Sequence, residues 1–143
     1  MSVGVLMLCF FISCDSIREN RPFQERTFDS DLWREGDAQA RGEMSKDLRW
    51  KKSESGNYVL DAKTRREVLA ILGEPDRKTR GKCCGAGGTS DEEVWLYNLK
   101  VSGGKNNLTN EHFQLYFTES GKIDEWRLAL WDDKNPDYYP RVG

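Results

Sequence analysis

Histidine is almost missing from this chain: His112 is the only one in 143 residues. Sites built on several imidazoles, such as most zinc centres, are therefore excluded, and His-based triads have one candidate base at most. No apolar run approaches the roughly 20 residues that a membrane-spanning helix needs. Neither sign of charge dominates, with 22 Lys and Arg against 24 Asp and Glu, a net charge of −2 and a pI near 5.5. A nucleic-acid partner is therefore not expected, because there is no basic excess to hold a phosphate backbone. The C-x-x-C pair of a redox enzyme is also lacking.

What is present is polar but not disordered. Charged residues make up 32% of the chain and mean hydropathy is −0.77, so the core must be small. Five Trp, five Tyr and six Phe are more aromatic material than a disordered chain carries. The length suits one domain with tails.

The N-terminus is the most biased segment. Val3 to Ser13 carries no charge, whereas charges are frequent from Asp15 onward. This run has the length of a signal-peptide apolar core, although no Lys or Arg precedes it. It ends at Phe11-Ile12-Ser13-Cys14, which resembles a bacterial lipobox, with Cys14 as the lipid-attachment residue. A buried strand or an uncleaved stub with an incidental cysteine is the alternative. Residues 1–14 are thus read as a lipoprotein-type signal, 15–28 as a flexible tether, 29–131 as the folded domain and 132–143 as an irregular tail. Asp15 after the cysteine biases some Gram-negative lipoproteins towards the inner membrane, so either membrane is open.

Two helices are expected. The first runs from about Asp37 to Lys51, with Asp37 as cap and Ala40, Met44 and Leu48 as a narrow apolar stripe. Trp33 and Trp50 are expected to close over its ends. The second opens on a capping box, Thr64-Arg65-Arg66-Glu67, and buries Val68, Leu69, Ile71 and Leu72. Gly73 and Pro75 end it. Three strands follow, Glu93 to Leu99, His112 to Phe117 and Ile123 to Trp131, where apolar residues alternate or run together. The expected fold class is α+β: two helices packed on a three-stranded antiparallel sheet, a two-layer sandwich.

The segment Thr64 to Asp76, Thr-Arg-Arg-Glu-Val-Leu-Ala-Ile-Leu-Gly-Glu-Pro-Asp, resembles the signature of the SmpA/OmlA (BamE-like) small bacterial lipoproteins. Trp95-Leu96-Tyr97, Leu115-Tyr116-Phe117 and Ser120-Gly121-Lys122-Ile123 resemble the strands and hairpin that follow it there. The resemblance covers about Leu60 to Leu130. Ala62-Lys63 departs from it, because family members usually have Gly-Met before the capping Thr. The resemblance implies a non-catalytic protein, lipid-anchored in the cell envelope and facing the periplasm, with envelope proteins as partners, the β-barrel assembly machinery among them. The same layered arrangement is similar to β-lactamase-inhibitor proteins, which bind partners through a sheet face. No cofactor and no catalytic residue is implied.

Cys83-Cys84 is the one reactive-looking constellation. Adjacent cysteines can form a vicinal disulfide, bind a soft metal, pair with another chain or stay idle. Arg80 and Lys82 beside them would favour thiolate chemistry. Arg77, Lys78, Arg80 and Lys82 form a basic run that reads as a solvated loop or as a contact for anionic head groups. Trp95, Tyr97, Tyr116 and Trp126 are the expected partner surface, since aromatics are enriched at binding sites.

Overall fold

The computed structural model describes residues 21–83, 90–103 and 107–130. Cys14, Cys84 and the expected tail 132–143 lie outside the described residues. Among the described residues three helices precede four strands: α1 (Ser30–Arg34), α2 (Ala38–Trp50), α3 (Arg65–Leu72), then β1 (Arg77–Cys83), β2 (Ser90–Ser102), β3 (Leu108–Phe117) and β4 (Ile123–Leu130). The strands form one antiparallel sheet in the order β1-β2-β3-β4. The class is α+β, but with one strand and one helix more than the sequence suggests.

The extra strand was hidden by its composition. Arg77–Cys83 reads Arg-Lys-Thr-Arg-Gly-Lys-Cys, with no alternation of apolar residues. It can be a strand because it lies at an edge, where charged side chains also discourage pairing with other chains. Its core-side position Lys78 stands opposite Trp95 and sets its ammonium 4.7 Å from the Trp95 ring centroid. The basic run is therefore an edge strand, not a loop. Helix α1 was missed because five residues are too few to show a 3.6-residue period. Asp29 caps it, its side chain accepting from the Leu32 amide at 3.0 Å.

The expected elements form for the reasons the residues give. Asp37 caps α2 by accepting from the Ala40 amide. The Thr64 hydroxyl accepts from the Glu67 amide at 3.3 Å, while the Glu67 carboxylate accepts from the Thr64 amide at 2.7 Å, so the capping box is closed. Gly73 ends α3 with φ +72°, a value open to glycine. Trp33 is fully buried at the entry to α2, but Trp50 at the far end is 55% exposed and lies outside the core.

One core lies between the helices and the sheet. Trp33, Ala40, Met44, Leu48, Leu60, Val68 and Leu72 meet Trp95, Tyr97, Leu99, Phe113, Leu115, Phe117 and Ile123, with Leu69, Ile71, Trp126 and Leu128 partly buried against them. Register explains the strand set: Trp95 stands opposite Leu115, Tyr97 opposite Phe113, and β4 continues with Trp126 and Leu128. Trp33 sits edge-on to both Tyr97 and Phe113, with centroids 6.0 and 5.7 Å away. Helix α2 comes so near β2 that a Cβ on Gly42 would lie 1.8 Å from the Lys100 carbonyl oxygen.

The domain begins earlier than expected. Residues 21–28 run along α2: the Arg26 amide donates to the Glu43 carbonyl and the Phe28 amide to the Asp47 carboxylate. Glu43, completely buried, accepts from Arg21 at 2.6 and 2.7 Å and pairs with Arg26 at 2.9 Å. Burial pushes the Glu43 carboxyl up, but the hydrogen bonds from Arg21, the Gln24 amide and Gln39 outweigh it and hold it below its ordinary value. The composition that suggested a tether, polar and poor in aliphatics, here serves an ion-pair clamp.

Candidate functional site

The expected partner surface is mostly interior. Trp95 and Tyr97 are buried in the main core, where the Trp95 indole N–H donates to Glu93 at 2.7 Å and the Tyr97 hydroxyl donates to the Gly73 carbonyl at 2.8 Å. Burial raises the Tyr97 hydroxyl well above the ordinary tyrosine range. Tyr116 is buried on the opposite face of the sheet with its hydroxyl donating to Gln114. These three therefore present no exposed ring. Alternation places Trp95 and Tyr97 on the helix side, so the period that makes the strand also hides them. Trp126 alone of the four is half-buried, its indole N–H donating to the Arg49 carbonyl at 3.0 Å.

Trp126 belongs to a surface that sequence reasoning did not assemble. Tyr58, 37% exposed, lies between it and Trp50, with ring centroids 5.8 Å from Trp126 and 6.0 Å from Trp50. The Arg49 guanidinium stands 4.8 Å from the Trp50 centroid and the Lys52 ammonium 5.6 Å from that of Tyr58. Three elements build the ladder. Trp50 is the last residue of α2, Tyr58 is held by a bridge to Lys52, and Trp126 lies on the edge strand β4. Such a ladder offers rigid apolar area with two cations at its rim, the make-up of a protein contact surface. The signal available beforehand was only the Trp50-Lys51-Lys52 run, since Tyr58 and Trp126 are distant in sequence.

A shallow groove of about 480 Å³ leads from this ladder along α2, lined by Glu25, Arg26, Thr27, Glu43, Lys46, Asp47 and Trp50. The N-terminal arm and the aromatic ladder thus share one side of the domain.

A second cleft, of about 590 Å³, opens near the start of β2 between Arg65, Arg80, Glu92, Glu93, Phe117, Thr118 and Glu119. Glu93 accepts from Arg65 at 2.9 Å, and the indole hydrogen bond from Trp95, with Arg65 beside it, holds its carboxyl below the ordinary range against the effect of burial. Glu92 behaves oppositely. Burial, a hydrogen bond with Asp124 and the charges of Asp124 and Glu125 push it up to about 7. The cleft therefore carries a carboxyl that exchanges its proton near neutrality. A raised pKa alone does not make an acid–base catalyst, because structural carboxyl pairs show the same shift.

Cys83 is the last residue of β1, opposite Ser90. Among the described residues no three His, Cys, Asp or Glu side chains are placed to hold a metal ion. No described helix is long and apolar enough to cross a membrane. No family model, curated protein or solved structure matches this chain.

Proposed function

We propose that this protein is a non-catalytic, lipid-anchored envelope protein that acts by binding other proteins, similar in role to the SmpA/OmlA lipoproteins of β-barrel assembly. The observation that carries the binding role is the exposed Trp50–Tyr58–Trp126 ladder with Arg49 and Lys52 at its rim. The anchor rests on the uncharged run that ends at Ser13-Cys14. The family likeness gains support from Ala62. It has φ +54°, a backbone conformation that favours glycine, at the position where the family signature has glycine.

In this reading Cys14 carries the lipid, the chain before it is removed, and the domain faces the periplasm from the outer or the inner membrane. Cys14→Ser should move the protein from the membrane to the soluble fraction, and mass spectrometry of the native N-terminal peptide should find an acylated Cys14. Persistent membrane association of the variant would sink the anchor. A photo-crosslinking residue at Trp50 should capture another envelope protein in intact cells, whereas one at the core position Leu72 should not. Equal capture from both positions, or none from Trp50, would remove the ladder as the contact.

A further inference from the structure

The N-terminal arm is bound to α2 by one edge only. The amides of Gln24, Arg26 and Phe28 all point at the helix, to the Glu43 carboxylate at 2.9 Å, the Glu43 carbonyl at 2.9 Å and the Asp47 carboxylate at 2.8 Å. Amides that face one way at every second residue are the pattern of an extended chain, whose intervening residues turn their N–H and C=O to the opposite edge. Those residues are Glu25 and Thr27. Among the described residues no hydrogen bond reaches the backbone of either, and the segment Gln24 to Thr27 is exposed. The edge is also held still, because Glu43 grips Arg21 at 2.6 Å and Arg26 at 2.9 Å. Lys, Pro or a bulge commonly blunts an open edge, yet Gln24 to Phe28 contains neither Lys nor Pro.

The ground beside this edge selects what can pair with it. The groove of about 480 Å³ is lined by Glu25 and Thr27 of the arm and by Lys46, Asp47 and Trp50 of α2, so it runs from the open edge to the first ring of the aromatic ladder. Arg49 and Lys52 stand over the rings of Trp50 and Tyr58, and among the described residues neither pairs with a carboxylate. Lys46 meets Glu25 at 3.4 Å, an exposed pair that exchanges partners easily. We propose that a partner protein adds an extended, acidic segment to the arm as a further strand, pairing with the backbone of Glu25 and Thr27 and setting an apolar side chain on Trp50. The proposal rests on the protein-binding role above and gives that partner its chemistry. In strand addition the main chain supplies affinity and the flanking side-chain sites supply choice of sequence. Glu25 and Thr27 each offer one donor and one acceptor. Carboxylates of the incoming segment meet Arg49 and Lys52. An edge already fixed by the Glu43 clamp loses little freedom on binding.

The test uses the full chain in intact cells, with a photo-crosslinking amino acid at the groove position Lys46 and Trp50 left in place. Thr27→Pro deletes one outward N–H and spares the amides of Gln24, Arg26 and Phe28 that dock the arm. Arg26 before it is extended, the conformation a residue preceding proline prefers. Thr27→Ala removes the side chain alone. Capture of another envelope protein should fall about tenfold in Thr27→Pro, through a lost hydrogen bond whose acceptor stays bare, and should hold at the parent level in Thr27→Ala. The crosslinked peptide of the partner, sequenced by mass spectrometry, should carry net negative charge, and Arg49→Glu/Lys52→Glu should lower its capture several-fold. Melting of each variant should match the parent; were Thr27→Pro to melt early, Glu25→Pro against Glu25→Ala takes its place. Undiminished capture in the proline variant or on charge reversal, or a crosslinked peptide without net negative charge, would each overturn the proposal. So would crosslinks from Lys46 to a second copy or to residues 131–143 of the same chain, which would give the groove another occupant. Capture from Trp50 but none from Lys46 would overturn strand addition and keep the ladder as a protein contact; no capture from either would remove both.

Discussion

Ala62 pays a conformational cost that no contact explains. Its φ of +54° places the Cβ against the following carbonyl, at about 1–2 kcal/mol for a residue other than glycine. Ala62→Gly should relieve this strain, at the expense of a more flexible unfolded chain, and leave a net gain of about 0.5–1 kcal/mol. Thermal melting should show a rise of a few degrees. An unchanged or lower midpoint would mean that the strain is relaxed by other means. Glu92 gives the residue scale a pH signature. Its folded value, about 7, lies above the ordinary 4.5, so the folded state holds its proton more tightly than the unfolded chain does. Its contribution is intact below about pH 4.5 and is lost as pH rises towards 7. Asp124 and Glu125 face it with like charge, while Arg80 and Arg65 line the same cleft. Glu92→Gln should therefore raise the melting midpoint at pH 8 and flatten its dependence on pH between 5 and 7. Melts at a series of pH values in parent and variant check both, and parallel profiles would mean the shift is absent.

At the scale of elements, the tightest point is the crossing of α2 over β2. Alanine is the better helix former by about 1 kcal/mol, so propensity alone predicts that Gly42→Ala stabilises. The Cβ would instead land 1.8 Å from a backbone oxygen of Lys100, which cannot swing aside. Overpacking of this kind costs about 1–3 kcal/mol and should win. A lower urea midpoint with unchanged slope is the expected result. Leu72→Asp should be more severe still. Leu72 is fully exposed to the core and not at all to water, and a carboxylate there has no partner. The cooperative melting transition should vanish; its survival would mean that α3 is not part of the core.

These elements also mark what the sequence could tell. Caps and stripes were readable: Asp37, Ala40, Met44 and Leu48 set α2, and Thr64 with Glu67 sets the start of α3, because local hydrogen bonds and a 3.6-residue period act within one segment. The three apolar strands were readable for the same reason. Edge strand β1 was not, since it pairs with β2 alone and its sequence shows no apolar alternation. The aromatic site fared worst. Trp95 and Tyr97 looked like contact residues by type, yet their register opposite Leu115 and Phe113 turns them inward. The ladder of Trp50, Tyr58 and Trp126 depends on a loop bridge and on helix–strand proximity, neither of which any local pattern encodes.

At the scale of the whole molecule, the described helices all pack on one side of the sheet. Two surfaces with different chemistry result. The aromatic ladder belongs to the helix side, together with the N-terminal arm and the groove between them. The Glu92 cleft lies near the start of β2. A partner that engages the ladder therefore approaches the side of the domain along which residues 21–28 run.

The Arg21 and Arg26 clamp on Glu43 sets how the domain would carry load. Seven residue steps separate Cys14 from Arg21, a leash of at most about 25 Å. If Cys14 is held in a bilayer, the domain cannot drift further than that from the lipid surface. Any pull on the leash would be taken first by the two guanidinium contacts on a buried carboxylate in the middle of α2. Drag on a bound partner would thus pass into α2 side-on, spread over its packing against β2, instead of peeling an edge strand from the sheet one hydrogen bond at a time.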